Sequence, residues 1–187
     1  MNIKFDARDL TVSGVFAGLY VIFNVVQSTV TPGGGYTIYG PIQLRIADCL
    51  IALSALLGWP VVAGVTVGCF LTNAYYFLGP VDVIFGPVAN LIAASFIILL
   101  RRRQFLACVV GALSVGFIVG GYLWTFPFLI PSFLESLPAW AVIIGMIGLI
   151  TISSLIAIAG IGYALLRILS RPALIESLKS RGLKTLR

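Results

Sequence analysis

Arg45 and Asp48 stand three residues apart in the run Gly40-Pro-Ile-Gln-Leu-Arg-Ile-Ala-Asp48, which opens an otherwise apolar stretch. Positions i and i+3 of a helix share a face, so the guanidinium and the carboxylate are expected to point the same way. An ionised side chain in the bilayer interior costs roughly 2.5–3.5 kcal/mol on insertion scales and generally faces a cavity or a partner. Two chemistries follow. The charges can read a polar ligand, or they can form an intramembrane ion pair that adds little net stability. Asp82, two residues after Pro80, offers a second carboxylate, with helix capping as its plain alternative. Phe85, Gly86, Ala89 and Asn90 follow it at helical spacing, a stripe that suits a ligand wall or helix packing. Asn73 can bind a ligand or make an interhelical hydrogen bond, and Gln43 sits where it can reach inward. Tyr75, Tyr76, Tyr122 and Trp124 can stack on a flat ligand or form the aromatic belt of a membrane interface. Tyr36 and Tyr39 lie in a Gly/Pro-rich loop with the hinges a lid requires, and an inert loop is the plain alternative there.

The composition narrows the chemistry. The chain has 187 residues and no histidine, which removes Ser/His and Cys/His catalysis, His-ligated metals and a histidine relay. Asp48 with Asp82 is the only carboxylate pair among the apolar segments, so the chain is not read as an enzyme. Cys49, Cys69 and Cys108 lie in separate apolar runs and form neither a disulfide framework nor a zinc pattern. No Gly-rich phosphate loop ending in Lys-Ser/Thr occurs, so no ATP site and no cofactor is expected in this chain. The N-terminus, with Asp6 and Asp9 beside Lys4 and Arg8, does not read as a cleavable signal.

The elements that must hold these residues are membrane spans. The sequence is 60% hydrophobic and 10% charged, against about 25% charged in soluble domains. A span needs about 20 apolar residues. Six are expected, near 10–30, 42–57, 61–78, 81–100, 105–126 and 139–169, forming an all-α integral membrane bundle over residues 1–170. The tail 171–187 is basic; Leu174, Ile175 and Leu178 are spaced to lie on a membrane surface, or the tail is simply a solvated end. The net charge of +6 sits in the N-terminus, Arg101-Arg102-Arg103 and the tail. That is positive-inside charging and does not point to nucleic acid. Both termini are then cytoplasmic in a multi-pass plasma-membrane protein. Arg45, Asp48, Asn73, Asp82 and Trp124 converge at one outward level, which predicts a pocket open to the exterior over an aliphatic inner half.

Ser13, Gly14, Ala17 and Gly18 make interlaced small-xxx-small pairs on the first span. That span shows few other polar marks, so its flat face suits a partner protein as well as packing inside the bundle. Gly64/Gly68 and Gly116/Gly120 offer further small faces.

The run 40–48, with Thr72-Asn-Ala-Tyr-Tyr-Phe-Leu-Gly-Pro-Val-Asp-Val-Ile-Phe-Gly86, resembles the QueT-type family. These are substrate-binding S-components of energy-coupling factor (ECF) transporters, assigned to queuosine precursors. Gly40, Pro41, Gln43, Arg45, Asn73, Gly79, Asp82, Phe85 and Gly86 match the family pattern. Leu44 replaces a usual aromatic, and Asp48 replaces a usual Glu. The resemblance implies a six-helix protein that captures a 7-deazaguanine base outside. It would work with a transmembrane coupling subunit and cytoplasmic ATPases that use the ATP. On that reading a carboxylate, Asp48 or Asp82, accepts from the two adjacent donors of the guanine edge. Arg45 or Gln43 meets the carbonyl oxygen, Asn73 a ring nitrogen, and the tyrosines stack. Other outcomes in view are a different vitamin or purine-like ligand, and a stand-alone ion-coupled carrier. The carrier would want charged or polar groups forming a path through to the cytoplasmic half, whereas the inner halves are nearly all aliphatic.

Overall fold

The computed structural model describes residues 6–31, 38, 40, 43–180, 183 and 185. Tyr36 and Tyr39, the expected lid residues, lie outside the described residues. Everything regular among the described residues is helical.

Helix α1 (Ala7–Val30) starts at a capping box. Asp6 accepts from the Asp9 amide at 2.9 Å, and the Asp9 side chain accepts from the Asp6 amide at 3.2 Å, which satisfies two of the donors a helix start leaves open. Helix α2 (Ile46–Leu57) is eight residues of 3-10 helix followed by four of α-helix. Gly58 turns it at φ 76°, in the left-handed region that favours glycine, into α3 (Trp59–Tyr75). Helices α4 (Pro80–Leu99) and α5 (Gln104–Leu123) are joined through the Arg101–Arg103 turn. After two single turns, Pro127–Leu129 and Ser132–Glu135, helix α6 runs over Ala139–Leu169 with a π-helical stretch at Leu155–Gly162. The tail forms α7 (Pro172–Ser180), and its Ile175 packs on the core.

Four of these helices are long and apolar enough to cross a membrane: Ala7–Val30, Pro80–Leu99, Arg101–Leu123 and Ala139–Leu169. The segments expected as the second and third spans are the shorter α2 and α3. Helix α2 is the axis of the bundle. Every residue from Ala47 to Leu56 is buried, as expected of a helix that is apolar all round. Helices α1, α3, α4 and α6 all touch it. Such a long 3-10 run is unusual, and at about 2.0 Å per residue it covers about 16 Å where an α-helix covers about 12 Å. The winding stretches a short segment across the core.

Close helix approach is set by glycine. A Cβ on Gly64 would come within 2.6 Å of Phe16 Cβ and of the Ser13 carbonyl oxygen, and one on Gly68 within 2.7 Å of Tyr20 Cβ. Helix α3 therefore lies against α1 with no room for a methyl group. A Cβ on Gly162 would meet the Cys49 carbonyl oxygen at 2.8 Å, so the π stretch of α6 lies directly on the 3-10 stretch of α2.

Candidate functional site

Polar side chains from five helices and the residues leading into α2 meet in one buried layer. Arg45 is not helical. It is the N-cap of α2, in extended backbone at φ −86°, ψ 106°. The expectation that it shares a helical face with Asp48 fails for that reason: the helix begins one residue too late. The two side chains take different hydrogen-bond partners, although both border the same small space. Arg45 Nη1 donates to Asn73 Oδ1 at 3.1 Å, Nε donates to the Ile38 carbonyl at 3.2 Å, and Nη2 stands 4.0 Å from Asp82 Oδ1. Asp48 turns to α1 and accepts a 2.6 Å hydrogen bond from the Tyr20 hydroxyl, which itself accepts from Asn90 Nδ2 at 3.0 Å.

Asp82 lies in the first turn of α4 but makes no capping hydrogen bond there. Its Oδ1 accepts from the Tyr122 hydroxyl at 2.7 Å, while Oδ2 is buried with no hydrogen-bond partner. Asn73 is fully buried and engaged at both ends of its amide, since its Nδ2 also donates to the Asp82 carbonyl at 2.9 Å. Gly86 makes that bridge possible, because a Cβ there would overlap Asn73 Nδ2. Gln43 is buried, and its Nε2 has no hydrogen-bond partner.

The layer therefore brings together Gln43, Arg45, Asp48, Asn73, Asp82 and Asn90. It leaves out other candidates. Tyr76 ties α3 to α1 through a 2.6 Å hydrogen bond with Ser28. Phe85 is 48% exposed, with its ring 6.1 Å from that of Tyr122. Trp124 is part-buried against the apolar core.

Helix α1 supplies what the sequence reading passed over. Tyr20, Asn24, Gln27 and Ser28 are all buried on one face. Gln27 clamps the chain entering α2, donating to the Leu44 carbonyl at 2.6 Å and accepting from the Ile46 amide at 2.9 Å. The signal was present: polar residues at i, i+4, i+7 and i+8 in an apolar helix mark an inward polar stripe. The expectation of few further polar marks on this span is corrected accordingly. The small-residue face divides in two. Ser13 and Ala17 are in contact with Gly64 and Gly68, whereas a Cβ on Gly14 or Gly18 would meet nothing within 4 Å.

Among the described residues, the space at the centre of this layer is small. Gln43, Arg45, Asp48 and Asn90, with Gly86, Val115, Val119, Ile150 and Ser154, surround about 10 Å³ of space. That is room for about one water, whereas pockets for drug-sized ligands run about 300–1,000 Å³. The Tyr20 hydroxyl, reaching in from α1, joins Asp48 and Asn90 in this layer. The arrangement holds its hydrogen-bonding groups in a dry setting.

Comparison with known proteins places this geometry in a family. The profile described as QueT transporter matches residues 10–171. The queuosine precursor transporter QueT of Lactococcus lactis subsp. cremoris (strain MG1363) is 35% identical over 100 residues, a match that covers 54% of this chain and 55% of that protein. The match thus spans about half the length of the curated relative. No solved structure matches the chain. A family match over most of the sequence, joined to four membrane-length helices around a buried polar layer, marks a multi-pass membrane protein: the chain belongs to the QueT transporter family.

Proposed function

We propose that this chain is the substrate-binding subunit of an ATP-driven ECF-type importer and that its ligand is a queuosine precursor with a 7-deazaguanine ring. The observation that carries the reading is the buried layer itself, in which Asp48, Gln43, Arg45 and Asn90 converge on one small space. Asp48 lines that space, so it is assigned the guanine edge, accepting from the ring N–H and the amino group. Gln43, whose amide nitrogen has no partner, and Arg45 are assigned the carbonyl oxygen. Asp82 and Asn73 are positioning residues that hold the Arg45 guanidinium. Tyr20 occupies the site when it is empty, and the ligand takes over its hydrogen bond to Asp48.

The chain is read with six spans and cytoplasmic termini. A transmembrane coupling subunit docks on the open Gly14/Gly18 side of α1, and separate ATPase subunits supply the energy. Alternatives are another purine-like or vitamin ligand of the same machinery and a stand-alone ion-coupled carrier.

Titration of the purified protein with 7-deazaguanine bases tests the site. A hydrogen bond to a charged group is worth about 1.5–3 kcal/mol, so Asp48→Asn is expected to weaken binding about 10- to 100-fold. Glu135→Gln, in the exposed turn before α6, leaves binding unchanged. Equal and negligible effects of both substitutions would remove the assignment and leave the layer as a structural polar core. Recovery of ATPase subunits with the tagged chain separates the ECF reading from the carrier.

A further inference from the structure

Far along the bundle from the polar layer, the Arg101–Arg103 turn and Arg167 of α6 border a surface cleft of about 710 Å³, walled by Tyr163 and Phe105, whose rings stand 5.3 Å apart. The four arginines are exposed, and no carboxylate among the described residues pairs with them. Nothing in the transport reading uses this cleft. Arginine forks bind phosphate oxygens in bidentate fashion, and the cleft presents four of them around an aromatic wall.

A second feature decides what carries the phosphate. Leu106 lines the cleft, and one turn further along α5 Val110 lines an apolar groove of about 490 Å³ that continues past Leu113 and Phe117. Residues four apart share a helix face, so cleft and groove follow one stripe of α5. From Leu106 to Phe117 the stripe runs about 16 Å at 1.5 Å per residue, which is half of a hydrocarbon core about 30 Å thick. A soluble phosphate would use the arginines and leave the groove idle. A phospholipid uses both.

We infer that this face is a specific site for an anionic phospholipid, with the headgroup phosphate in the arginine cleft and one acyl chain along the Leu106–Phe117 groove. Basic pockets between membrane helices take anionic headgroups by the same chemistry.

The test is native mass spectrometry of the full-length protein equilibrated with equal amounts of phosphatidylglycerol and phosphatidylcholine of matched chains, with inorganic pyrophosphate in a parallel sample. The expected result is a dominant phosphatidylglycerol adduct. A basic residue at an anionic surface contributes about 1 kcal/mol, or about fivefold, so Arg102→Gln with Arg167→Gln should lower that adduct about 25-fold. Arg8→Gln leaves it unchanged. Ser114→Phe fills the groove without altering charge. It should lower the lipid adduct while sparing pyrophosphate binding, and it remains informative if the double variant does not fold. Equal adducts of the two lipids would overturn the inference. So would pyrophosphate binding as tightly as the lipid with no effect of Ser114→Phe, which would mark a soluble-phosphate site. Loss of a co-purifying protein from the double variant with the lipid adduct intact would make the cleft a protein-docking face instead.

Discussion

Two carboxylates and one arginine share the interior, and their partners differ in kind. Arg45 is held by an amide, a backbone carbonyl and the Asp82 carboxylate, so its head is fixed from several sides. Asp48 is held by the neutral Tyr20 hydroxyl. Removing one member of a buried charged pair costs about 3–5 kcal/mol because the other is left uncompensated. Losing a neutral donor leaves a buried acceptor at about 1–3 kcal/mol. Arg45→Met is therefore expected to lower the thermal midpoint of the detergent-purified protein more than Tyr20→Phe does. If Tyr20 occupies the ligand's place, Tyr20→Phe also alters ligand affinity by less than Asp48→Asn, since it frees the carboxylate and leaves it in position. Gly86→Ala should act like loss of Asn73, because the new methyl group displaces the amide that bridges Arg45 to the Asp82 carbonyl. The identities of Arg45, Asp48, Asn73, Asp82 and Asn90 were legible as polar residues in apolar surroundings. Their pairing was not, because it depends on where α2 begins, and a one-residue difference in helix start redirects Arg45 from Asp48 to Asp82.

At the scale of elements, the helices were legible nearly to their ends, since long apolar runs broken by Gly-Pro, Gly-Trp-Pro and the triple arginine leave little choice. The 3-10 winding of α2 and the π winding of α6 were not. The two windings meet where Gly162 lies on the Cys49 carbonyl, a contact between segments far apart in the chain. The division of the α1 small-residue face also needed the structure. Ser13 and Ala17 meet α3, while Gly14 and Gly18 stay open, so the two pairs have separate expected behaviours. Gly68→Leu overpacks the α1–α3 contact and should destabilise the isolated chain by about 1–3 kcal/mol, read as a lower thermal midpoint. Gly18→Leu should leave that midpoint unchanged and, if α1 docks on a coupling subunit, abolish its co-purification. Equal midpoints for the two variants would mean that the close α1–α3 approach has no energetic weight.

For the whole molecule, the open matter is whether α2 and α3 cross the membrane or only dip into it. At its mixed winding α2 is about 22 Å long, and the 17 residues of α3 give about 25 Å, both under the roughly 30 Å of hydrocarbon. Length alone would favour a re-entrant hairpin. Position argues otherwise. Ala55, near the end of α2, borders the same cleft as Arg101, Arg102, Arg103 and Arg167, so the Gly58 turn reaches the level of the basic cluster. Arginines at that level belong in the aqueous interface, which the proposed orientation makes the cytoplasmic one. On the proposed six-span reading the hairpin traverses, and its short helices are tolerable because α2 is sheathed in protein and not in lipid. Cysteine labelling can read this cleanly, since Cys49, Cys69 and Cys108 are all buried. In intact cells a membrane-impermeant maleimide should modify Ser136→Cys, beside the exposed Glu135, and should reach Pro60→Cys and Arg102→Cys only after permeabilisation. Labelling of Pro60→Cys from outside, with Arg102→Cys still protected, would reduce α2 and α3 to a re-entrant loop. The polar layer would then rest on a four-span frame.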